Sequence, residues 1–347
     1  MRLGLVYDLR DDYLAQGCTL EQVAELDTLE TIQMLDEALT RLGHQVDRVG
    51  HGRALAVRLV AGERWDAVFS IAEGLRGRSR EAQVPALLEL FDQPYFFSDP
   101  LTMATTLDKA VAKRLVRAAG IPTAPFAVVG GPFQGTDPMP GEEEGALVPP
   151  LFIKPAWEGT GKGCDRASRV ESLDQLRPRA EALARTFDQP VLVESYLPGR
   201  EFTVGVVGNG PGARVVGIME VLLHGQASQD GVYSFSNKEH FETRVRYHKV
   251  EDDTAVTTCR LALQAYHVLE CRDMARLDFR CDAEGTPCFL EVNPLPGMNS
   301  IHSDLPILAG LAGLSYDTLL REIVEAGWAR LQSRQGVLQG QSSGTVA

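Results

Sequence analysis

The sequence lacks the signals of a membrane protein and those of a cysteine-based metal or disulfide framework. Its 347 residues contain no apolar run approaching the roughly 18 residues of a membrane-spanning helix. The first residues, MRLGLVYDLRDDY, become acidic too early for a secretory signal peptide, so we expect a cytoplasmic location. The six cysteines form no C-x-x-C pair and have no histidine at zinc-site spacing, which favours reduced structural thiols.

An excess of positive charge is also missing. The formal net charge of −13 disfavours a nucleic-acid or anionic-membrane partner, because both carry negative charge. Any phosphate site in this chain must therefore be a focused pocket of basic residues. The length is too great for one ordinary core, and the 44% hydrophobic fraction can fill two or three lobes.

The first hundred residues alternate between strand and helix patterns. Strands are predicted at 3–7, 45–49, 66–71 and 94–98, with a helix from about Thr28 to Leu42. This order predicts a parallel α/β lobe, in which ligands gather at the carboxyl ends of the strands. The loop AEGLRGRSREAQ (72–83) follows such a strand end and carries Glu73, Arg76, Arg78, Arg80 and Glu81, of which we single out Glu73, Arg78 and Arg80. These are candidate substrate ligands; the alternative is a solvated charged loop.

The remaining chain predicts two further units. A helix is predicted over about 101–119, before a Pro/Gly/Glu-rich linker at 130–150. Further along the chain a β-hairpin is predicted, with its turn at Asn209 and Gly210. Residues 224–247 lack a clean period and are typical of a lid over a site. We expect an N-terminal domain at 1–103, a central domain at 104–190, a C-terminal domain at 191–330 and a disordered tail at 331–347.

The stretch FIKPAWEGTGKGC (152–164) is rich in glycine and lysine, which suits phosphate binding. It is not a Walker A loop, because Ala156 and Gly163 stand where that motif needs glycine and Ser or Thr. A dinucleotide fingerprint also fails, because Cys164 takes the place of its third glycine. Bare backbone N–H groups here could still wrap phosphate oxygens, beside Lys154 and with Lys109 as a further cation. A flexible hairpin turn is the alternative.

Two predicted strands near the C-terminal end of the core carry acids on one face. Strand alternation puts Arg276 and Asp278 on the same side, and likewise Glu291 and Asn293 on the next strand. Oxygen ligands without cysteine or histidine suit magnesium, which also takes waters and phosphate oxygens. The alternative is an exposed strand face on which Arg276 forms a salt bridge.

Four motifs in order resemble those of the ATP-grasp carboxylate–amine ligases, above all the D-alanine–D-alanine ligases. They are K-P-x-x-E-G-x-G-x-G (154–163), V-E-S-Y-L-P-G-R-E-F-T-V (193–204), R-L-D-F (276–279) and E-V-N-P-x-P-G-M (291–298). The resemblance runs from the first strand to about Gly327. It implies an α/β ATP-grasp fold with an N-terminal Rossmann-like parallel lobe, small-molecule substrates and a homodimer. Its implied cofactors are ATP and magnesium, with two ions in the site and manganese as an alternative.

The resemblance also implies roles for individual residues. The nucleotide phosphates would meet Lys109, Lys154, Lys238 and the loop residues Glu158, Gly159, Thr160 and Gly161. Glu194 and the backbone of Leu197 would meet the adenine, and Glu201 the ribose. Asp278, Glu291 and Asn293 would hold magnesium, while Arg276 and the N–H of Gly297 would steady the acyl phosphate and the tetrahedral intermediate. Glu194 and Glu201 as surface acids, and Lys238 as an ordinary loop lysine, are the alternatives.

The chain departs from the family pattern only in the substrate pocket. YDLRDDYLAQG lacks the family's Ser-x-Glu-His-type motif, AEGLRGRSREAQ replaces its His-Gly loop, Glu239 replaces an aromatic residue, and one residue is inserted before Ser303. We therefore predict an ATP-dependent ligase with an altered pocket, in which Glu73 holds an ammonium group and Arg78 or Arg80 a carboxylate. Ser300, His302 and Ser303 complete the candidate substrate ligands. The alternatives are a genuine D-alanine–D-alanine ligase, an ATP-grasp phosphotransferase and a non-catalytic nucleotide-binding protein.

Overall fold

The N-terminal lobe is built on a parallel sheet, as the sequence predicts. The computed structural model describes residues 1–130, 147–224 and 245–342. Strands β1 (Arg2–Val6), β2 (Gln45–Gly50) and β3 (Ala67–Ser70) pair in the order β2-β1-β3. The predicted strand at 94–98 is wrong: Tyr95 forms a single bridge with Val68. The backbone leaves the sheet here because Phe97 donates its N–H to the Asp273 carboxylate, at 2.7 Å.

Four helices flank the strands of this sheet. They are α1 (Arg10–Ala15), α2 (Leu29–Arg41), α3 (Gly52–Val60) and α4 (Gln83–Leu90). The side chain of Thr28 caps α2 by accepting a hydrogen bond from the N–H of Thr31. The apolar face of α2, including Ile32 and Leu35, is buried in the largest core.

The single helix predicted over about 101–119 is in fact two helices. They are α5 (Pro100–Leu107) and α6 (Lys109–Ala118), separated by Asp108. The Asp108 carboxylate accepts hydrogen bonds from the N–H groups of Ala110 and Val111, both at 3.1 Å, and so caps α6. A capping aspartate within an otherwise helical pattern starts a new helix, and this one sets the direction of Lys109.

A second, antiparallel sheet carries the glycine-rich stretch. Its strands are β4 (Phe126–Val129), β5 (Leu151–Pro155), β6 (Arg169–Val170) and β7 (Val191–Ser195), in the order β4-β7-β5-β6. Helix α7 (Leu173–Phe187) packs against it. Because β7 pairs with both β4 and β5, the domain boundary expected at 190 would cut a strand from its own sheet.

The third sheet carries the acidic strand pair. Its strands are β8 (Glu201–Val207), β9 (Arg214–Leu223), β10 (Val245–Lys249), β11 (Met274–Cys281) and β12 (Pro287–Asn293), in the order β10-β9-β8-β11-β12. The predicted β8–β9 hairpin is confirmed, but a short 3₁₀ helix (Gly210–Gly212) makes its connection longer than a two-residue turn. Helices α8 (Asp253–Val268) and α9 (Asp304–Leu311) pack against this sheet.

The C-terminal helix α10 (Tyr316–Ser342) corrects the expectation of a disordered tail from residue 331. Leu319, Leu320 and Ile323 anchor its first turns in the core, and each further residue adds a helical hydrogen bond at little cost. All six cysteines are free thiols, as expected. No helix within the described ranges is both long and apolar enough to cross a membrane. Most of the predicted linker and lid lies outside the described residues.

Candidate active site

The glycine-rich stretch forms a tight loop directly after β5. Thr160, Gly161 and Gly163 all have positive φ, at 54°, 72° and 70°. A Cβ at Gly163 would lie 2.6 Å from Pro155 and 2.8 Å from Phe187, so a larger residue does not fit. The glycines therefore serve a specific backbone path, in which the N–H groups of Lys162 and Cys164 donate to the carbonyls of Gly159 and Gly161.

A buried charged triad stands behind this loop. Glu194 on β7 lies 2.7 Å from the Lys154 Nζ and 2.8 Å from the Lys113 Nζ. Burial alone would raise the pKa of Glu194, but the two ammonium groups outweigh it and lower the pKa to about 2. Burial lowers the pKa of Lys113, whereas for Lys154 the nearby Glu194 and Glu291 outweigh burial and the pKa is raised.

Lys113 is a site residue that the sequence reasoning missed. It lies four residues after Lys109 on α6, in KAVAK, and both side chains are buried. Residues four apart share a face of a helix, so this spacing was the available signal. Lys113 also donates to the Phe289 carbonyl, at 3.1 Å, which fixes α6 against β12.

A cavity of about 110 Å³ lies between the second and third sheets. It brings together most of the residues that the resemblance assigned to ATP and magnesium. These are Lys109, Lys154, Glu158, Gly161, Glu194, Leu197, Glu201, Asp278 and Glu291. Arg280, which the sequence reasoning also missed, lies 3.3 Å from Glu201 and stacks on the ring of Tyr196, 5.3 Å from its centroid. Lys238 lies outside the described residues.

The acidic strand pair has the register that the alternation predicts. Asp278 on β11 faces Glu291 on β12, and Arg276 faces Asn293. The Arg276 guanidinium lies 3.0 Å from Asp278, 3.9 Å from Glu291 and 3.3 Å from Asp304, which hold its pKa above the usual value although burial opposes this. The Lys109 Nζ lies 3.2 Å from Glu291.

The donor set here suits magnesium better than a closed metal centre. Among residues 1–130, 147–224 and 245–342, no group of three or more His, Cys, Asp or Glu could hold a metal ion. Two carboxylates and the Asn293 carboxamide instead offer a partial set of oxygen ligands. Magnesium accepts such a set because it completes its octahedron with waters and substrate phosphates.

Glu25 ties the N-terminal lobe to the glycine loop and was missed from the sequence. Its carboxylate lies 2.8 Å from Arg80 and 3.1 Å from Lys162, and it accepts a hydrogen bond from the N–H of Gly159, at 2.5 Å. Burial would raise its pKa, but the two cations outweigh burial and lower it. The available signal was an acid four residues before the start of α2, outside the stretch YDLRDDYLAQG in which the family motif was sought.

A second cavity of the site, about 290 Å³, lies against the N-terminal lobe. Its lining includes Arg10, Glu25, Asp27, Glu73, Thr160, Arg276, Asn293, Gly297, His302, Ser303 and Asp304. A smaller space of about 40 Å³ joins Glu73 and Glu81 to Gly159, Lys109, Arg276 and Glu291. Burial, followed by the Glu81 charge, raises the pKa of Glu73 well above its usual value, and burial raises that of Asp27 to about 7.

Three predicted substrate ligands lie elsewhere. Arg78 binds the Asp108 carboxylate, at 2.7 Å, and stacks on Trp157. Arg80 is buried between Glu25 and the carbonyl of Trp157. Ser300 contacts the sulfur of Met34 through its N–H and its hydroxyl group. The two arginines already neutralise carboxylates of the fold, which removes the reason to assign them a substrate carboxylate.

Comparisons with known proteins agree with this geometry. A family model described as the D-ala D-ala ligase C-terminus matches residues 115–325. A D-alanine–D-alanine ligase from Mycobacterium ulcerans is 36% identical over 76% of this chain and 69% of its own length. One from Bordetella petrii is 32% identical over 81% of each chain. An uncharacterized protein, y4sG, from Sinorhizobium fredii is 31% identical over 76% of this chain and 75% of its own length.

Solved structures show the same fold. The D-alanine–D-alanine ligase from Bacillus anthracis, complexed with ATP, superimposes with a TM-score of 0.70 at 21% identity, covering 96% of this chain and 99% of that one. The ATP-grasp fold expected from the sequence is thereby confirmed. The family match covers more than half of the chain, including the glycine loop and the acidic strands. The chain belongs to the D-alanine–D-alanine ligase family and is an ATP-dependent carboxylate–amine ligase.

Proposed function

We propose that this enzyme joins the carboxylate of one amino-acid-like substrate to the amine of another through an acyl phosphate. Lys109, Lys154, the loop residues 158–161 and Lys238 hold the ATP phosphates. Glu201 meets the ribose, and the backbone around Leu197 meets the adenine. The resemblance assigned Glu194 to the adenine, but its carboxylate lies between two buried lysines, so we propose instead that it keeps Lys154 in place. The support for this assignment is that all the described members except Gly159 and Thr160 line one cavity.

Asp278, Glu291 and Asn293 would hold magnesium, as two ions, or manganese. The ions, when bound, would offset the negative charge of the ATP phosphates. Arg276 and the lysines contribute positive charge from this chain in the same place, because Arg276 lies beside both carboxylates.

The reaction then has two displacement steps. A carboxylate oxygen of the first substrate attacks the γ-phosphorus of ATP, the bond to the β-phosphate oxygen breaks, and ADP leaves. The amine nitrogen of the second substrate attacks the carbonyl carbon, loses a proton, and inorganic phosphate leaves with the electrons of the C–O bond. Arg276 and the N–H of Gly297 stabilise the oxygen that becomes negative between these events, and both line the substrate cavity.

The altered pocket is part of this proposal, and one observation carries it. Glu25 is already neutralised by Arg80 and Lys162, whereas Glu73 hydrogen-bonds to a second carboxyl group, that of Glu81, and burial and the Glu81 charge raise the pKa of Glu73 well above its usual value. Glu73 lines the substrate cavity beside Arg276 and Gly297. A substrate ammonium group next to Glu73 would supply a cation there. We therefore assign ammonium binding to Glu73.

A panel of substrates tests the proposal. ADP release would be measured with ATP and magnesium over D- and L-amino acids, singly and in pairs, with mass detection of products. An amide from a pair other than two D-alanines supports the altered pocket. Turnover of D-alanine alone supports the second candidate, a D-alanine–D-alanine ligase, which the names of the relatives favour. ADP without an amide indicates phosphoryl transfer, and no turnover contradicts the proposed substrate class.

A single substitution tests the role of Glu73. Glu73→Gln should raise the KM of one amino-acid substrate and leave the KM of ATP unchanged, because only one ammonium group loses its counter-charge. Glu30→Gln, at an exposed position of α2, is the matched control. Unchanged KM values for both amino-acid substrates would remove Glu73 from the substrate site. Light scattering would test the expected homodimer.

A further inference from the structure

The N-terminal lobe contains a large cavity outside the ligase site. Its volume is about 670 Å³, within the range of small-molecule pockets. The lining follows the carboxyl ends of all three parallel strands: Asp8 after β1, His51 after β2, and Gly74 and Arg76 after β3. That edge of a parallel sheet is where open α/β folds bind ligands. The ligase reaction described above uses none of these four residues.

The polar part of this cavity is basic, against the acidic trend of the chain. Arg53 and Arg76 are exposed, and no described carboxylate oxygen lies within 4.0 Å of either guanidinium. The single carboxylate in the lining, Asp8, is occupied by the Tyr13 hydroxyl, at 2.7 Å, and by the N–H of Gly74, at 3.0 Å. The two guanidinium groups of Arg53 and Arg76 therefore outnumber the one carboxylate of the lining, in a protein with a net charge of −13.

His51 adds a directed donor beside these arginines. Its Nδ1 accepts a hydrogen bond from the N–H of Ala54, at 3.2 Å, and caps α3. The neutral ring must then carry its proton on Nε2, which is left to donate. The partial positive charge of the N-terminal end of α3 lies at the same place.

The inner wall of the cavity is apolar, which indicates that the ligand has an apolar part. Ala56, Val84 and Leu87 line the cavity, and Val84 packs so close to Gly52 that a Cβ there would lie 3.2 Å from it. An inorganic ion alone would leave this surface in contact with water. A ligand with both an anionic group and an apolar body matches both parts of the lining.

One residue connects this cavity with the nucleotide loop. Arg80 lines the cavity and donates to the Glu25 carboxylate and to the Trp157 carbonyl, both at 2.8 Å. Glu25 in turn accepts from the N–H of Gly159. A ligand that changes the position of Arg80 therefore acts on the loop through two hydrogen bonds.

We propose that this cavity binds a small organic anion, with its carboxylate or phosphate group between Arg53 and Arg76 and its apolar part against Ala56, Val84 and Leu87. The site is separate from the substrate cavity and is coupled to nucleotide binding through Arg80. It does not depend on which amino acids the enzyme joins.

Calorimetric titration of the full chain, saturated with ADP and magnesium, tests this site. The probes are phenyl phosphate and benzoate, with benzyl alcohol as the uncharged match. We expect saturable binding of one or both anions at one site per chain, and no saturable binding of benzyl alcohol. The tighter of the two anions identifies the anionic group. No saturable binding of either anion would overturn the proposal.

Variants distinguish this cavity from the ATP site. Arg53→Ala combined with Arg76→Ala should raise the Kd of the anion at least 10-fold, while the Kd of ADP measured without the anion stays unchanged. Arg260→Ala combined with Arg321→Ala removes the same charge from exposed positions and should leave anion binding intact. Equal affinity in both double variants would show that the anion binds elsewhere, including the γ-phosphate position, and would contradict the proposal. We also expect the anion to change the Kd of ADP at least twofold.

Discussion

The Oε1 atom of Glu25 accepts a hydrogen bond from the backbone N–H of Gly159, at 2.5 Å, and so joins the N-terminal lobe to the glycine loop. The same carboxyl group pairs with Arg80 of its own lobe and Lys162 of the loop. The position of the loop therefore depends on a charged contact made across two lobes. The N-terminal lobe and the glycine loop are linked through this side chain and through Arg80, which also donates to the Trp157 carbonyl.

Glu25→Gln should weaken nucleotide binding. The variant removes one of the two carboxylates, Glu25 and Glu158, that pair with the buried Arg80 and Lys162. Loss of a charge-assisted hydrogen bond of this kind should raise the Kd of ADP by about 10-fold. The measurement is calorimetric titration with ADP and magnesium. Glu21→Gln, exposed in the same segment, should behave like the parent protein. An unchanged Kd in Glu25→Gln would show that the loop does not need this contact.

Asp278→Asn should reduce kcat/KM by about 100-fold, because it removes one of the two paired carboxylates, Asp278 and Glu291, that we propose hold magnesium. The loss should be accompanied by a higher magnesium concentration for half-maximal ADP release. Glu284→Gln lies just after the same strand, at an exposed position, and serves as the control. The assignment fails if the magnesium dependence of Asp278→Asn matches that of the control.

Glu194→Gln should destabilise the fold by roughly 3–5 kcal/mol, because it leaves two buried lysines without their shared carboxylate. Denaturant unfolding of the parent and the variant measures this difference. Adding Lys113→Met to the variant should recover part of the loss, since one of the two uncompensated charges is then gone. A loss below about 1 kcal/mol in Glu194→Gln would mean that the triad contributes no more than an ordinary surface contact.

Glu81→Gln should become more stabilising as the pH rises. Burial raises the pKa of Glu81 from 4.5 to about 7. The charge of Glu25 also raises this pKa, whereas Arg80, Lys109 and a hydrogen bond with Glu73 lower it. The folded state therefore binds more protons than the unfolded state between these two values, so the parent loses stability as the pH rises through this window.

The measurement for Glu81 is the melting temperature of parent and variant at pH 5 and pH 8. Relative to the parent, the variant should gain at pH 8 compared with pH 5, because the glutamine side chain has no carboxyl proton to lose. Glu37→Gln, on an exposed face of α2, should show no such change with pH. A pH-independent difference for Glu81→Gln would contradict a raised pKa.

The sequence alone was sufficient for features that depend on strand alternation and on motif order. The shared face of Asp278, Glu291 and Arg276 follows from a period of two along β11 and β12, and the register shows it directly. The glycine loop was located by its composition. Local pattern, however, does not show where a helix is interrupted: only the capping contacts of Asp108 separate α5 from α6.

What escaped prediction depends on contacts between distant segments. Glu25 meets Gly159 across 134 positions of sequence, and no local pattern announces such a pair. Arg78 and Arg80 looked available for a substrate carboxylate because their partners, Asp108 and Glu25, are also distant in sequence. The substrate pocket is assembled from loops of several lobes. Its residues could therefore be listed from the sequence, but which of their side chains form ion pairs with one another could not be predicted.

The acyl phosphate step is tested most directly by following oxygen from the substrate carboxylate to inorganic phosphate. An amino-acid substrate that supports turnover would be labelled with ¹⁸O in its carboxylate, and the inorganic phosphate released with ATP and magnesium would be analysed by mass. An acyl phosphate mechanism predicts ADP as the nucleotide product and one ¹⁸O atom in each phosphate, because the carboxylate oxygen that attacked phosphorus leaves with it. Unlabelled phosphate, or AMP as the product, would contradict the mechanism that we propose.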